Sequence, residues 1–253
     1  MSCCPPSRCG LAPPSDYKAQ GKEMKLGDLS CYEIGEAKKG AVIVIADIFG
    51  VASGRHKGIC DELAEKGYYV IMPDLYHGDK CEFADLGTEK LPAFLKKWKT
   101  EAWQPDMDIV YKHLEEKKLA PKSIGMMGFC WGCWAIWHES ARVGEKFAAG
   151  VNFHPSIAIE GVFGRKIDDL ADKVKNPMLM CPCKGEPAEV LENGSGHKIM
   201  LKKDFGKACE FISFLDMQHG FVSQGDVSKK EIADNINKAL DGAIAFLGKN
   251  VSM

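Results

Sequence analysis

One stretch near the middle of the chain limits the folds that are open to it. Residues 123–137 begin with an apolar run, continue through Gly-Phe-Cys-Trp-Gly at residues 128–132, and enter a proline-free segment that extends to Val143. Glycines on both sides of a central nucleophile permit a sharp turn from a buried strand into a helix. The spacing therefore predicts a nucleophile elbow, with a strand before it, a helix after it and Cys130 at its tip.

The chemistry of Cys130 follows from this position. A helix that begins directly after Cys130 directs its free N–H groups and its positive dipole end towards the sulfur, which favours the thiolate. The chain has 11 cysteines and 26 glycines, so this spacing alone would arise by chance in roughly one such chain in ten. Cysteine is also often a small buried apolar residue. The strand and helix around the motif are what favour a reactive Cys130.

Composition excludes several classes of protein. Hydrophobic residues make up 45% of the 253 residues, charged residues 27%, and the net charge is −2. These values predict a globular domain with a large core and no basic surface for nucleic acid. No apolar run reaches the roughly 18 residues of a membrane span, and the first residues lack the features of a signal peptide. We expect a cytoplasmic protein without membrane or nucleic-acid partners, present as a monomer or weak homodimer.

The cysteines do not form a recognisable framework. Their odd number and scattered positions argue against disulfides, and reduced thiols are the norm in the cytosol. A zinc site can be imagined from Cys3, Cys4 and Cys9 together with Cys181 and Cys183. Their spacings match no common zinc pattern, so we expect no metal.

The order of predicted elements indicates the fold class. Predicted strands lie at residues 24–34 (one or two edge strands), 41–46, 68–72, 123–129, 147–153, 177–181 and 209–215. Predicted helices lie at residues 55–66, 88–99, 106–118, 131–143, 165–175 and 229–247. Alternating strands and helices are typical of an α/β fold with a doubly wound, mostly parallel sheet flanked by helices. We predict one such domain at residues 24–253, after an extended lead-in at residues 1–23.

Parallel sheets place their functional loops at the carboxyl ends of the strands. The polar residues that follow the predicted strands are Asp47, Asp74, Cys130, His154, Glu186 and His219. A thiol nucleophile needs a base and a group that orients that base. Cys130, Glu186 and His219 follow the nucleophile, acid, histidine order of α/β-hydrolases, although Glu189 and Asp216 are nearby alternatives for the acid.

Four blocks of sequence resemble the dienelactone hydrolase (carboxymethylenebutenolidase) family: residues 46–51, 72–76, 128–132 and 219–221. The resemblance implies an α/β-hydrolase fold, no cofactor, and cleavage of lactones or esters through an acyl-enzyme. It assigns the nucleophile to Cys130 and the base to His219. The triad aspartate of the family corresponds to Glu186, and its acid beside the cysteine, usually glutamate, corresponds to Asp47. The backbone N–H groups of Ile48 and Trp131 would form the oxyanion hole.

The resemblance also bears on the substrate. Dienelactone-specific members hold the substrate carboxylate with two arginines, and the matching positions here are Gly78 and Ser223. Of the four arginines, only Arg55 has a place in the chain that could bring it near the mouth of the site. We therefore expect neutral or differently charged small esters, lactones or thioesters. The predicted substrate-binding residues are Phe49, Tyr76, Trp131, Phe221 and Ser223, although the aromatic residues could equally be core.

Two other functions remain open from the sequence. Cys130 and Cys133 form a Cys-x-x-Cys pair at a helix start, as in thioredoxin-like redox proteins. That motif normally follows an early strand, whereas residues 130–133 lie in mid-chain. A catalytically silent small-molecule binding protein is the second alternative, because two acids of the family site are substituted.

Overall fold

A single eight-stranded sheet organises the protein. The computed structural model describes residues 17–253. The strands are β1 (Lys22–Leu26), β2 (Leu29–Ile34), β3 (Gly40–Ile45), β4 (Tyr68–Pro73), β5 (Ile124–Phe129), β6 (Ala149–Phe153), β7 (Met178–Cys181) and β8 (Glu210–Phe211). Their order in the sheet is β1-β2-β4-β3-β5-β6-β7-β8. The β1–β2 and β2–β4 pairs are antiparallel and the other neighbours are parallel. This topology confirms the predicted α/β fold with a mostly parallel sheet.

Helices cover both faces of the sheet. They are α1 (His56–Glu65), α2 (Lys90–Lys97), α3 (Thr100–Glu116), α4 (Trp131–Val143), α5 (Ile167–Ala171), α6 (Ser195–Leu201), α7 (Phe221–Gln224) and α8 (Lys230–Asn250). Short 3₁₀ turns lie at Phe83–Asp85, Pro121–Ser123, Gly144–Lys146, Ile157–Phe163, Ala188–Val190 and Gly206–Ala208. Within residues 17–253, none of the helices combines the length and the hydrophobicity that crossing a membrane requires.

The unbroken apolar sequence of β3 follows from its place at the centre of the sheet. Ile43 and Ile45 join a core on the face covered by α2, α3 and α4. Val42 and Val44 join a second core on the opposite face, beneath α1 and α8. Each fully buried side chain of this kind stabilises the fold by about 1.5–3 kcal/mol. Because strand side chains alternate between faces, a strand buried on both sides has no position left for a polar residue.

Three predicted elements differ in extent from the observed ones. The helix predicted at residues 106–118 begins earlier, at Thr100, and includes Pro105. Proline removes one backbone hydrogen bond and usually ends a helix pattern, which is why the prediction started after it. The strand predicted at residues 209–215 is regular only at Glu210–Phe211 and continues as an isolated bridge between Cys183 and Phe214. The helix predicted at residues 165–175 is confined to α5.

The structure describes the last part of the predicted lead-in at residues 1–23. Of the predicted lead-in at residues 1–23, residues 1–16 lie outside the described part of the chain, and so do Cys3, Cys4 and Cys9. The first strand, β1, begins within the lead-in at Lys22. Just before it, the Tyr17 hydroxyl and the Gln20 N–H donate to the buried carboxylate of Asp61 in α1, at 2.7 and 2.8 Å. These contacts attach residues 17–20 to the domain.

Candidate active site

Cys130 occupies a sharp turn between β5 and α4. The strand ends at Phe129 and the helix begins at Trp131, so Cys130 alone makes the turn, with φ 53° and ψ −111°. The flanking glycines are required sterically. A Cβ on Gly128 would lie 2.6 Å from the carbonyl carbon of Gly132, and a Cβ on Gly132 would lie 2.3 Å from the carbonyl oxygen of Ile45. The predicted elbow is therefore present, and it holds Cys130 at the carboxyl end of the sheet.

His219 and Glu186 lie at the same edge of the sheet. Glu186 follows β7, and His219 lies between β8 and α7. The side chains are 4% and 6% exposed, respectively, and Glu186 Oε1 lies 3.6 Å from His219 Nδ1. A carboxylate at this nitrogen is suited to orient the imidazole and to stabilise its protonated form. The structure thus brings together the acid and the histidine that the chain order paired.

Ser156 connects Cys130 to His219, and the sequence reasoning did not include it. Its Oγ lies 3.1 Å from the Cys130 Sγ and 3.3 Å from the His219 Nε2. The backbone also joins here, because the Ser156 N–H donates to the Cys130 carbonyl at 3.1 Å. The available signal was a hydroxyl residue two positions after His154, in a loop already placed at this edge. Ser156 completes a polar chain from the sulfur to the imidazole.

The surroundings of His219 favour its protonated form. Burial lowers the pKa of the imidazole, but the charge of the Cys130 sulfur and hydrogen bonds with Cys130, Cys183 and Glu186 outweigh burial. The pKa of His219 consequently stands well above its ordinary range. Burial raises the pKa of Glu186, and its hydrogen bonds to His219 and Cys183 oppose that shift. A cationic imidazole between two groups that can carry negative charge is the arrangement of a cysteine–histidine ion pair.

Cys183 is a third neighbour of the histidine. Its thiol donates to Glu186 Oε1 at 3.0 Å, and its Sγ lies 3.9 Å from His219 Nδ1. Burial is the main reason that the pKa of Cys183 rises to about 12. It is therefore a neutral thiol at physiological pH. Sequence reasoning considered Cys183 only as one of several imagined zinc ligands and did not place it beside Glu186.

Asp47 lies after β3 and is almost completely buried. Its carboxylate accepts hydrogen bonds from the Phe49 N–H at 3.0 Å, the Ser223 hydroxyl at 2.8 Å and the Gln224 amide at 2.9 Å. Its Oδ2 also lies 3.4 Å from His56 Nε2. Within residues 17–253, none of the hydrogen bonds of the Asp47 carboxylate is to Cys130. In this structure Asp47 holds the loop after β3 to α7, the short helix that follows His219.

Ser223 and Gly78 are the two positions that the resemblance matches to the arginine clamp. Ser223 is fully buried, and its hydroxyl is engaged by Asp47. A Cβ atom on Gly78 would meet no atom within 4 Å, and the Gly78 N–H donates to the Asp74 carboxylate at 2.7 Å. Arg55 donates to the carbonyls of Phe221 and Gly225, at 3.1 and 2.6 Å. Burial lowers the pKa of Arg55 to about 10, so a cation caps the carboxyl end of α7.

Two backbone N–H groups are available near the elbow. The N–H of Trp131 is the first of α4, and the first N–H groups of a helix have no partner within it. The N–H of Ile48 makes no hydrogen bond within residues 17–253, whereas the Ile48 carbonyl accepts from Cys81 at 2.8 Å. These are the two donors that the resemblance assigned to an oxyanion hole.

The four predicted pocket aromatics are all buried, in two groups. Phe49 stacks on Phe83 with ring centroids 3.8 Å apart, and the rings of Tyr76 and Trp131 lie 4.8 Å apart. Phe221 instead packs against Phe214, at 5.1 Å. Phe49 is the most exposed of the four, at 9%. In the chain, Phe49 directly follows Ile48, Trp131 directly follows Cys130, and Phe221 lies two positions after His219.

Cys133 lies three residues after Cys130, in the first turn of α4. Its Sγ lies within hydrogen-bond distance of two carbonyl oxygens, that of Gly128 at 3.1 Å and that of Phe153 at 3.3 Å. It is completely buried, and burial raises its pKa well above the ordinary value. These contacts favour a packing role for Cys133 over a redox partnership with Cys130.

His154 is the most unusual polar residue near the site. It is fully buried, has a φ of 40°, and its ring lies 5.1 Å from that of His219 and 6.0 Å from that of Phe221. Neither ring nitrogen has a hydrogen-bond partner among the described residues. Burial, followed by the charges of His219, His56 and Arg55, lowers the pKa of His154 well below its ordinary range. It is therefore neutral in the folded protein.

A comparison with known protein families identifies the family of the chain. The model of the dienelactone hydrolase family matches residues 31–250. The chain belongs to the dienelactone hydrolase family. Membership makes it a hydrolase that acts on esters and confirms the resemblance seen in the four sequence blocks.

Relatives and solved structures cover most of the chain. The human carboxymethylenebutenolidase homolog is 27% identical over 220 residues, which span 86% of this chain and 85% of the relative. A cold-adapted esterase from an Arctic intertidal metagenomic library superposes with a TM-score of 0.60 at 14% identity, covering 93% of this chain and all of the esterase. A dienelactone hydrolase-like promiscuous phosphotriesterase from metagenomic libraries gives 0.58 at 14% identity, covering 90% and 97%. At these identities the structures establish only the shared fold.

His154 should make the protein less stable in acid. Its unfolded-state pKa is about 6.5, and its folded-state pKa is lower, so below pH 6.5 the unfolded state binds a proton that the folded state does not. The free energy of unfolding should fall by up to about 1.4 kcal/mol per pH unit from this residue. Urea unfolding of the wild type and of His154→Asn, whose side chain tolerates positive φ, measures the difference between pH 7.5 and pH 5.5, values about one unit either side of that pKa. If the two proteins lost the same free energy of unfolding between these two pH values, a neutral buried His154 would be contradicted.

Proposed function

We propose that this protein hydrolyses small esters, lactones or thioesters through an acyl-enzyme on Cys130. The observation that carries the proposal is the continuous polar chain at the elbow: Cys130 Sγ, Ser156 Oγ and His219 Nε2 are joined by distances of 3.1 and 3.3 Å. On the other side of the imidazole, Glu186 lies 3.6 Å from Nδ1. Covalent acyl transfer requires a nucleophile, a base beside it and an acid that orients the base, and these groups lie in that order here.

The acylation half-reaction starts from the Cys130 thiolate and the His219 imidazolium. The thiolate attacks the carbonyl carbon, and the N–H groups of Ile48 and Trp131 stabilise the oxyanion that forms. As the tetrahedral intermediate collapses, His219 Nε2 gives its proton to the leaving oxygen or sulfur. The products are the free alcohol or thiol, a thioester on Cys130 and a neutral imidazole.

Deacylation reverses the roles of the same groups. His219 Nε2 removes a proton from water, and the resulting hydroxide attacks the thioester carbonyl. Collapse of the second intermediate expels the Cys130 thiolate and releases the carboxylic acid. The imidazolium and thiolate are thereby restored, so no external proton donor or cofactor enters the cycle.

Glu186 and Ser156 act on this pair in different ways. Glu186 lies 3.6 Å from Nδ1 of His219 and orients the ring, so that Nε2 faces the sulfur in both half-reactions. The hydroxyl of Ser156 can donate to the thiolate while accepting from Nε2–H, which keeps sulfur and imidazole in register. We infer a positioning role for Ser156 because its oxygen lies between the two groups that exchange the proton.

The predicted substrates lack a free carboxylate near the reacting bond. A bidentate clamp requires arginine, and lysine does not replace its geometry. The two clamp positions are Gly78, which has no side chain, and Ser223, which is buried against Asp47. Arg55, the remaining arginine of interest, is directed at backbone carbonyls of α7. The aromatic side chains near the elbow are suited to an apolar acyl or alcohol group.

Replacing the two elbow cysteines separately tests the nucleophile. Cys130→Ala should lower kcat/KM for a fluorogenic ester by at least about 10³-fold, because the acyl-enzyme can no longer form. Cys133→Ala should lower it by less than about tenfold, since within residues 17–253 the hydrogen-bond partners of its thiol are backbone carbonyls. Thermal unfolding controls for the loss of packing at Cys133. Full activity in Cys130→Ala would exclude the proposed mechanism, and equal loss in both variants would favour the redox alternative.

The charge preference of the pocket can be measured on one pair of substrates. A neutral methyl ester of a carboxylate-bearing lactone should react at least as well as the free acid, because no arginine within residues 17–253 is placed to bind the carboxylate. The measurement is the ratio of their lactone kcat/KM values at the same pH and ionic strength. A preference for the free acid above about tenfold, equivalent to roughly 1.4 kcal/mol, would reveal a cationic clamp and refute this assignment.

A further inference from the structure

Three side chains at the acid end of the candidate triad form a compact set of metal-binding atoms. Cys183 Sγ lies 3.0 Å from Glu186 Oε1 and 3.9 Å from His219 Nδ1, and the latter two atoms are 3.6 Å apart. Thiolate, imidazole and carboxylate are the three side-chain types that bind zinc. Cys130 and His219 Nε2 lie on the other side of the imidazole ring and take no part in this set.

The spacing of the three atoms suits a tetrahedral cation. Ligand atoms at the usual zinc distances from a tetrahedral centre are separated from one another by about 3.3–3.6 Å. The three observed separations fall within roughly 0.6 Å of those edges, and the three ligand atoms all lie within 4.8 Å of one another. The shortest edge is the hydrogen bond from the Cys183 thiol to Glu186. A cation at the centre would replace that hydrogen bond with two bonds to itself.

A second observation at the same place also points to a ligand. Glu186 Oε2 is buried and has no hydrogen-bond partner within residues 17–253. A buried carboxylate oxygen without a partner is costly, and a cation or a cation-bound water would satisfy it. Lys184 and Gly185, which join Cys183 to Glu186 in the chain, are exposed. The set therefore lies close beneath the protein surface.

We propose that Cys183, Glu186 and His219 form an inhibitory site for a thiophilic divalent cation such as Zn²⁺. The inference rests on the proposed function for its regulatory consequence, but not for the binding itself. The cation bonds to Cys183 Sγ, His219 Nδ1 and a Glu186 oxygen. The thiol proton and the Nδ1 proton of the imidazolium leave to solvent, so the ring becomes a neutral imidazole that carries its proton on Nε2.

This tautomer cannot complete the catalytic cycle. With Nδ1 bonded to the cation and Nε2 protonated, the imidazole has no lone pair with which to deprotonate the deacylating water. Glu186 is likewise withdrawn from its role at Nδ1. Hydrolysis stops without any bond between the cation and Cys130, and removal of the cation by a chelator restores turnover.

Cobalt provides a spectroscopic test that does not depend on activity. Co²⁺ is titrated without oxygen into the full chain in which Cys3, Cys4 and Cys9 are replaced by serine, so that the amino-terminal thiols do not contribute. The parent should bind one equivalent and develop a thiolate-to-cobalt charge-transfer band with tetrahedral visible absorption. Zn²⁺ should displace Co²⁺, because thiolate ligands favour zinc. Cys130→Ala is the matched control, because it removes the other sulfur near His219.

The variants distinguish the proposed site from metal bound at the nucleophile. Cys130→Ala should keep the band, and Cys183→Ala should lose it with at least about tenfold weaker binding. In the parent, Zn²⁺ should abolish ester turnover, and Cys183→Ala should need at least about tenfold more Zn²⁺ to lose half of its own activity. If Cys183→Ala does not fold, Glu186→Gln provides the test. This variant should keep the thiolate-to-cobalt band but bind Co²⁺ about tenfold more weakly.

Two results would overturn the inference: no thiolate band in the parent, or a band that disappears in Cys130→Ala and persists in Cys183→Ala. An unchanged Co²⁺ affinity in Glu186→Gln would overturn it as well. A parent that hydrolyses no ester but shows the Cys183-dependent band would refute the proposed function and keep the metal site. The two ideas can therefore fail separately.

Discussion

Gly132 lets the first turn of α4 approach the end of β3 so closely that a methyl group there would lie 2.3 Å from the Ile45 carbonyl oxygen. This close approach forces the turn onto one residue, Cys130, with φ 53°. A non-glycine residue in such a conformation persists only where its surroundings hold it. They do so through three backbone hydrogen bonds: Cys130 N–H to Phe153, and the N–H groups of Cys133 and Ser156 to the Cys130 carbonyl, each 3.1 Å.

The rest of the site depends on that turn. The hydrogen bonds that fix Cys130 also fix the loop after β6, which brings the Ser156 hydroxyl to the sulfur and places His154 against His219. On the far side, Asp47 and Arg55 attach the short helix α7 to the loop after β3 and the start of α1. Because α7 begins directly after His219 and Gly220, these buried polar contacts determine where the imidazole lies. The charged groups near the site are thus mostly engaged with backbone or with one another.

The sequence was sufficient for the elbow and for the chain order of the site, because both depend on local rules. Two glycines around Cys130 have one steric explanation, and loops after parallel strands converge at one edge. It was insufficient for Ser156 and Cys183, because their roles depend on which side chains meet across loops distant in sequence. The partners of Asp47 could not be predicted for the same reason. The early start of α3 and the short β8 were missed because Pro105 and the apolar residues 209–215 follow local patterns that tertiary packing overrides.

The central claim is that Cys130 carries the acyl group, and rapid-quench peptide mapping tests it most directly. The protein is mixed with an activated ester, quenched in acid during turnover, digested and fragmented so that Cys130 and Cys133 are resolved within one peptide. The account predicts one acyl group, on Cys130, whose level rises within the first turnover and declines when substrate is exhausted. Turnover without any covalent adduct, or with the acyl group on Ser156 or Cys183 instead, would contradict it.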